Sequence, residues 1–167
     1  MRRLGENTAI NIKNKSHSVT AELEIPPKAQ GVIVAQGGHM GGWTIYVHEG
    51  KLKYHYNFLG LLRFEAIANS PLPEGKHQVR MEFAYDGGGL GKPGTATLYV
   101  DGNEVGKGSV GRTHEAGSPV TTDYPKNGAS YFTGEVKWVE FDTDTAADDH
   151  NHLITPEEKF MVAMAKQ

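Results

Sequence analysis

The chain has 167 residues, 38% of them hydrophobic and 22% charged, a formal charge of −3 and no cysteine. One domain with a single apolar core fits that length, while the weak acidic balance without a basic run excludes a nucleic-acid backbone as partner. Disulfides, thiolate nucleophiles and cysteine zinc sites are excluded too, and no apolar stretch approaches the roughly eighteen residues that would span a bilayer.

The N-terminal MRRLGENTAINIKNKS has no apolar export segment, so residues 1–15 read as an arm ahead of a soluble domain whose compartment stays open. In the first element, Val19, Ala21, Leu23 and Ile25 alternate with Thr20, Glu22 and Glu24. This is the pattern of a strand with one wet face, ended by Pro26-Pro27. Val32–Ala35 is an apolar run suited to a central strand, and QGGHMGG after it is turn material.

Trp43, Ile45 and Val47 then face away from Thr44, Tyr46 and His48; after Glu49-Gly50 the alternation resumes in Tyr54, Tyr56 and Phe58, which predicts an antiparallel pair over 43–58. Val79, Met81, Phe83 and Tyr85 form the apolar side of the next strand, and Ala96, Leu98 and Val100 that of the one after it. Asp101-Gly102-Asn103 signals a hairpin into a strand starting at Val105. In GEVKWVEFD, Val139 and Phe141 are placed on one face and Val136 and Trp138 on the other. Thr155-Pro156-Glu157-Glu158 has the form of a helix start, with Phe160, Met161 and Met164 as its packing face.

Short strands, tight turns and no long amphipathic helix predict an all-β protein of two antiparallel sheets packed face to face. The sandwich is assigned to residues 16–143, and 144–167 to an acidic, histidine-bearing linker with a short C-terminal helix.

The glycines in DGGGLGKPG match G-x-G-x-x-G at Gly89, Gly91 and Gly94, but Pro93 has no amide to offer an anion and TATLYV continues as a strand rather than a helix. A turn between strands is expected there. Asp86 at its start caps the turn or ligates a hard cation.

The stretches GVIVAQGGHMGGWTIYVHEGKLKYHYNFLG, LPEGKHQVRMEFAYDGGGLGKPGTATLYVDGNEVGKG, GSPVTTDY and FTGEVKWVEFD reach across most of residues 31–142. Together they resemble the C-terminal region of bacterial-type arylsulfatases. The resemblance implies a concanavalin-A-like, jelly-roll sandwich appended to a catalytic domain that supplies the nucleophile; no serine here stands in the C/S-x-P-x-R setting of that nucleophile. Gly117, Ser118, Pro119, Asp123 and Tyr124 match the family pattern, but only GRTHEA precedes them where the family carries another strand. Its loss exposes an edge, opens the sandwich, or is repaired by the N-terminal arm or a partner.

His39, His48, His55 and His77 are dispersed, and His114-Glu115 lacks the second histidine of H-E-x-x-H. No nucleophile–base pair or metal centre emerges, so catalysis by this chain alone is not expected. Pairing of the 43–48 and 54–58 strands would bring His48 and His55 toward Tyr46 on a solvent-facing patch. Trp43 shares the Ile45 and Val47 face and reads as core, whereas Trp138, near Tyr124 or Tyr131, is a candidate ligand or partner surface. Asp142, Asp144, Asp148, Asp149, His150 and His152 read as a solvated linker, with divalent-metal binding as the alternative. No cofactor is called for; calcium is the cation these oxygen donors leave open.

Two functions fit. One is a noncatalytic accessory or assembly module in which a second copy or a protein partner covers a sheet edge. The alternative is a carbohydrate-binding module that uses an aromatic and polar sheet face, with a glycan as ligand.

Overall fold

The computed structural model describes residues 12, 15–38, 41–113, 123, 131–143 and 152–156. At Glu49-Gly50 (φ 52° and 74°) and Asp101-Gly102 (φ 48° and 78°) both central residues take the left-handed backbone. Such turns match the right-handed twist of the strands they join, and an acidic residue before glycine is suited to them. They connect β3 (Gly41–His48) to β4 (Lys51–Phe58) and β7 (Gly94–Val100) to β8 (Asn103–Val110). The remaining strands among the described residues are β1 (His17–Ile25), β2 (Gly31–Gly38), β5 (Leu62–Ile67), β6 (Gly75–Tyr85) and β9 (Glu135–Asp142).

All strand pairs are antiparallel, in a five-stranded sheet ordered β8-β7-β6-β1-β9 and a four-stranded sheet ordered β2-β3-β4-β5. The seam between them is filled by the predicted alternating residues, Val19, Leu23, Val79, Met81 and Leu98 from one sheet and Trp43, Ile45, Val47 and Tyr54 from the other, joined by Leu52. Ile12 joins this cluster. Burying each large side chain contributes about 1.5–3 kcal/mol before ordering costs. Trp43 is core, as expected, between the rings of Tyr54 and Phe141, with its indole N–H donated to Gln36.

The glycine run is a loop between two strands, crossed by a bond from the Asp86 amide to the Pro93 carbonyl (3.1 Å) and followed by β7. Tyr85 ties it inward: its hydroxyl donates to the Gly89 carbonyl and accepts from the Lys92 amide.

Several expectations need correction. The predicted wet face of β1 is exposed only at Glu24: the strand lies between β6 and β9, and Ser18, Thr20 and Glu22 are buried. Their cross-strand partners include the longer Glu82, Arg80, Glu140 and Trp138. β2 is an edge strand rather than a central one. Its apolar run comes from a bulge, where the shift between Val32 and Val34 lets Ile33 and Val34 both point inward. A second bulge, between Glu22 and Leu23, pairs Val136 with core-facing Leu23 while Trp138 pairs with Glu22. Val136 and Trp138 therefore lie on opposite faces. β5 was not predicted; it follows a turn at Leu59-Gly60 closed by the Leu61 amide on the Phe58 carbonyl (2.9 Å).

β5 and β8, the outermost strands of their sheets, lie against each other and close that side. Gly106 and Gly108 permit it: a Cβ on either would run into the carbonyl of Ile67 or Glu65. At the edge of β2, Tyr131 bridges to Val32, and Gln30 and Thr133 exchange two bonds. The helix expected from Thr155 lies outside the described residues beyond Pro156, as do residues 114–122 with His114, Glu115 and the GSP match.

Candidate functional site

Pairing fixes the outer face of the four-stranded sheet residue by residue. One row across it reads Val32, Tyr46, Lys53, Ile67, and the next Ala35, Thr44, His55, Glu65. Tyr131 bridges to Val32, which adds it to the first row on the far side of β2. With strands about 4.8 Å apart, its backbone lies about 10 Å from that of Tyr46. Tyr131 is 75% exposed.

Tyr46, His48 and His55 share this face, but the patch they form is not solvent-facing. Tyr46 is fully buried and His55 is 1% exposed. The Tyr46 hydroxyl donates to Asp123 (2.7 Å), and the Lys53 ammonium donates to the same carboxylate oxygen (3.3 Å) while lying over the Tyr46 ring. Burial works to raise the Asp123 pKa, but the Tyr46 and Lys53 bonds together outweigh it and hold the carboxyl below its usual value. Asp123 stays ionised and pins the ring beneath it.

In the second row, His55 Nδ1 lies 2.9 Å from a carboxylate oxygen of Glu65. Burial depresses the imidazole pKa, opposed by its bond to Glu65. His55 Nε2 is enclosed without a hydrogen-bond partner among the described residues, whereas the Glu65 side chain keeps 39% of its surface in solvent. Arg63 follows on the same face, exposed beside Asn57. The arrangement presents fixed donors and acceptors of both signs, able to meet a polar, hydroxyl-rich ligand.

His48 lies at the end of the first row's face, paired with Lys51 and half-buried. Trp138 is on the outer face of the other sheet, half-buried, on the opposite side of the sandwich. Tyr124 lies outside the described residues. Lys53, Glu65 and Asp123 were missed as functional candidates; Lys53 was legible, two positions before His55 in the alternation that placed His55. Asp86 is exposed, and among the described residues no three His, Asp or Glu side chains are grouped to hold a metal. A surface hollow of about 660 Å³ is lined by Pro26, Pro27, Glu74 and Glu135 among others and has no aromatic wall.

Among solved structures, the chain is similar to the mouse laminin alpha1 chain, domains LG4-5, at 18% identity and a TM-score of 0.52, over 81% of this chain and 37% of that one. This is a concanavalin-A-like β-sandwich. The LG1-3 region of the laminin alpha2 chain is similar at 14% identity and a TM-score of 0.50, over 78% of this chain and 28% of that one. The chain thus spans well under half of either laminin structure, and at these identities the likeness is one of fold. No protein-family model and no curated protein matches the sequence. The sandwich expected from the arylsulfatase resemblance is present, and the structural likeness is to laminin LG domains. Among the described residues no helix is long and apolar enough to cross a membrane.

Proposed function

We propose that the chain is a noncatalytic carbohydrate-binding module that receives a glycan on the outer face of its four-stranded sheet. The carrying observation is the exposed ring of Tyr131, in cross-strand register with Tyr46 and Lys53 on the face that also holds the Asp123 and Glu65 carboxylates. Sugars offer apolar ring faces and rims of hydroxyls; in an oligosaccharide laid across the strands, Tyr131 stacks on one ring while Lys53, Arg63 and Glu65, three and four strands away, meet the hydroxyls of others. Because Asp123 and the strand ladder already hold these groups, binding costs little further ordering. The experiment is a glycan array followed by NMR titration of the hits. Tyr131→Ala weakens binding at least about tenfold with the fold intact, the loss of roughly 1.4 kcal/mol of stacking; unchanged affinity, or an array without hits, refutes the reading.

A second reading has separate support. Leu61 and Leu90 are 78% and 84% exposed, on the β4–β5 turn and the β6–β7 loop. Phe64 beside Gly111, and Gly91 beside Thr113, bring both loops to one end of the sandwich. An apolar end of this kind suits an accessory module docked on a protein neighbour or a second copy, in the manner of the domain appended to arylsulfatases. Light scattering distinguishes the two: an oligomer dissociated by Leu61→Ser with Leu90→Ser supports docking, and a monomer at all concentrations counts against self-association.

A further inference from the structure

On the opposite side of the molecule, the outer face of the five-stranded sheet already holds a short segment, bent at His152 (φ 51°). Residues 152–154 run antiparallel to β6, with His152 over Glu82 and Ile154 over Gln78. One side-chain amide satisfies both backbone groups of Ile154: Gln78 Nε2 donates to its carbonyl and Gln78 Oε1 accepts from its N–H, each at 3.0 Å. Such a contact reads backbone and is indifferent to sequence. Two further contacts read side chains. The His152 ring stacks on Tyr99, centroids 4.1 Å apart and planes 12° from parallel, and its Nδ1 lies 2.8 Å from the Glu82 carboxylate. Arg80 Nε, 2.8 Å from the same carboxylate oxygen, fixes the acceptor. The Ile154 side chain is 7% exposed.

We propose that the β6–β7 face is a recognition site for a short peptide bearing a histidine and, two residues later, a branched aliphatic side chain, and that residues 152–156 occupy it in cis. Gln78, Glu82 and Tyr99 are its reading groups and Arg80 the positioning residue behind Glu82. Eight residues separate Thr143, just after β9, from His152, so the segment is tethered close to the site at high effective concentration. An external peptide of the same chemistry enters only where the tail is displaced. The tail is thus an internal competitor, and this site is independent of the glycan face.

The test uses the full chain and a fluorescent synthetic peptide with the sequence of residues 151–156. Ile154→Glu places a charge where the site buries an aliphatic group and displaces the tail. Expected are faster hydrogen exchange at the residue-154 amide, peptide binding at least about tenfold tighter than to the parent chain, and loss of that gain when Gln78→Ala is added. Equal binding to the parent and Ile154→Glu chains, undetectable binding to both, or retention after Gln78→Ala each overturns the proposal. So does a residue-154 amide as protected as in the parent. Circular dichroism checks that the strands persist; if Ile154→Glu lowers that signal, His152→Ala takes its place with the same expected outcomes.

Discussion

His17 makes stability depend on acid in a way that can be sized. It opens β1, pairs with Phe83 and sits against that ring at 5.3 Å, with Nδ1 donated to the Lys15 carbonyl and Nε2 enclosed without a partner among the described residues. Burial lowers its pKa from 6.5 to about 4, against the smaller opposing effect of the Lys15 bond. Above pH 6.5 the ring is neutral both folded and unfolded and makes no difference. Between 6.5 and about 4 the unfolded chain takes a proton that the folded chain refuses, so stability falls with pH, and below about 4 the loss is complete. At 1.36 kcal/mol per unit, the loss between about pH 7.5 and about pH 4.5 is roughly 2.5 kcal/mol, a large part of the 5–15 kcal/mol typical of a domain. His17→Phe keeps a ring of similar size against Phe83 and removes the proton site. Urea unfolding followed by tryptophan fluorescence at both pH values tests this: the parent chain should lose about 2.5 kcal/mol more than the variant. Equal losses, within about 0.5 kcal/mol, refute the assignment. His55, also depressed by burial, acts in the same direction in both chains and cancels from the comparison.

His77 has the opposite sign: its bond to Asp101 (2.6 Å) raises its pKa, so that stabilisation is present below pH 6.5 and is lost as pH rises through the raised folded value. Asp101→Asn should return the NMR titration of His77 toward 6.5, and an unmoved titration would show that the carboxylate is not the cause. Gly108→Val drives a side chain into the Glu65 carbonyl and should cost about 3 kcal/mol or more or prevent folding; a melting temperature within a few degrees of the parent's would contradict the close approach of β5 and β8. Tyr46→Phe removes the hydroxyl from Asp123, should cost about 1.5–3 kcal/mol in thermal unfolding, and should let the Asp123 pKa rise; no change in either would mean the bond carries no weight.

The sandwich was legible because alternation and turn chemistry agree along most of the chain. Val79, Met81 and Phe83 face the core as their spacing requires, and Asp101-Gly102 turns where its residues allow. β5 escaped because its turn uses Leu59 at positive φ, a conformation that leucine does not advertise. The bulges in β2 and β9 escaped because one inserted residue inverts the facing of everything beyond it, and nothing in VIVA or EVKW marks the insertion. The face holding Tyr46 and His55 was placed correctly, but its exposure was not. Whether a sheet face is wet depends on what crosses it, and Asp123 arrives from 77 residues away in sequence, in a segment without periodicity. Glu65 was hidden with the strand that carries it. The seat of His152 on Tyr99 and Glu82 depends on the same kind of long-range encounter, which no local pattern encodes.

The glycine contact between β5 and β8 makes the two sheets resemble the boards of a book bound along one spine. Any motion that parted them would be smallest at that spine and largest at the fore-edge, where β2 is held by the short clasp of Tyr131, Gln30 and Thr133. Tyr131 therefore stands at the margin with the greatest leverage. A molecule gripping it would shut the volume and stiffen the whole binding.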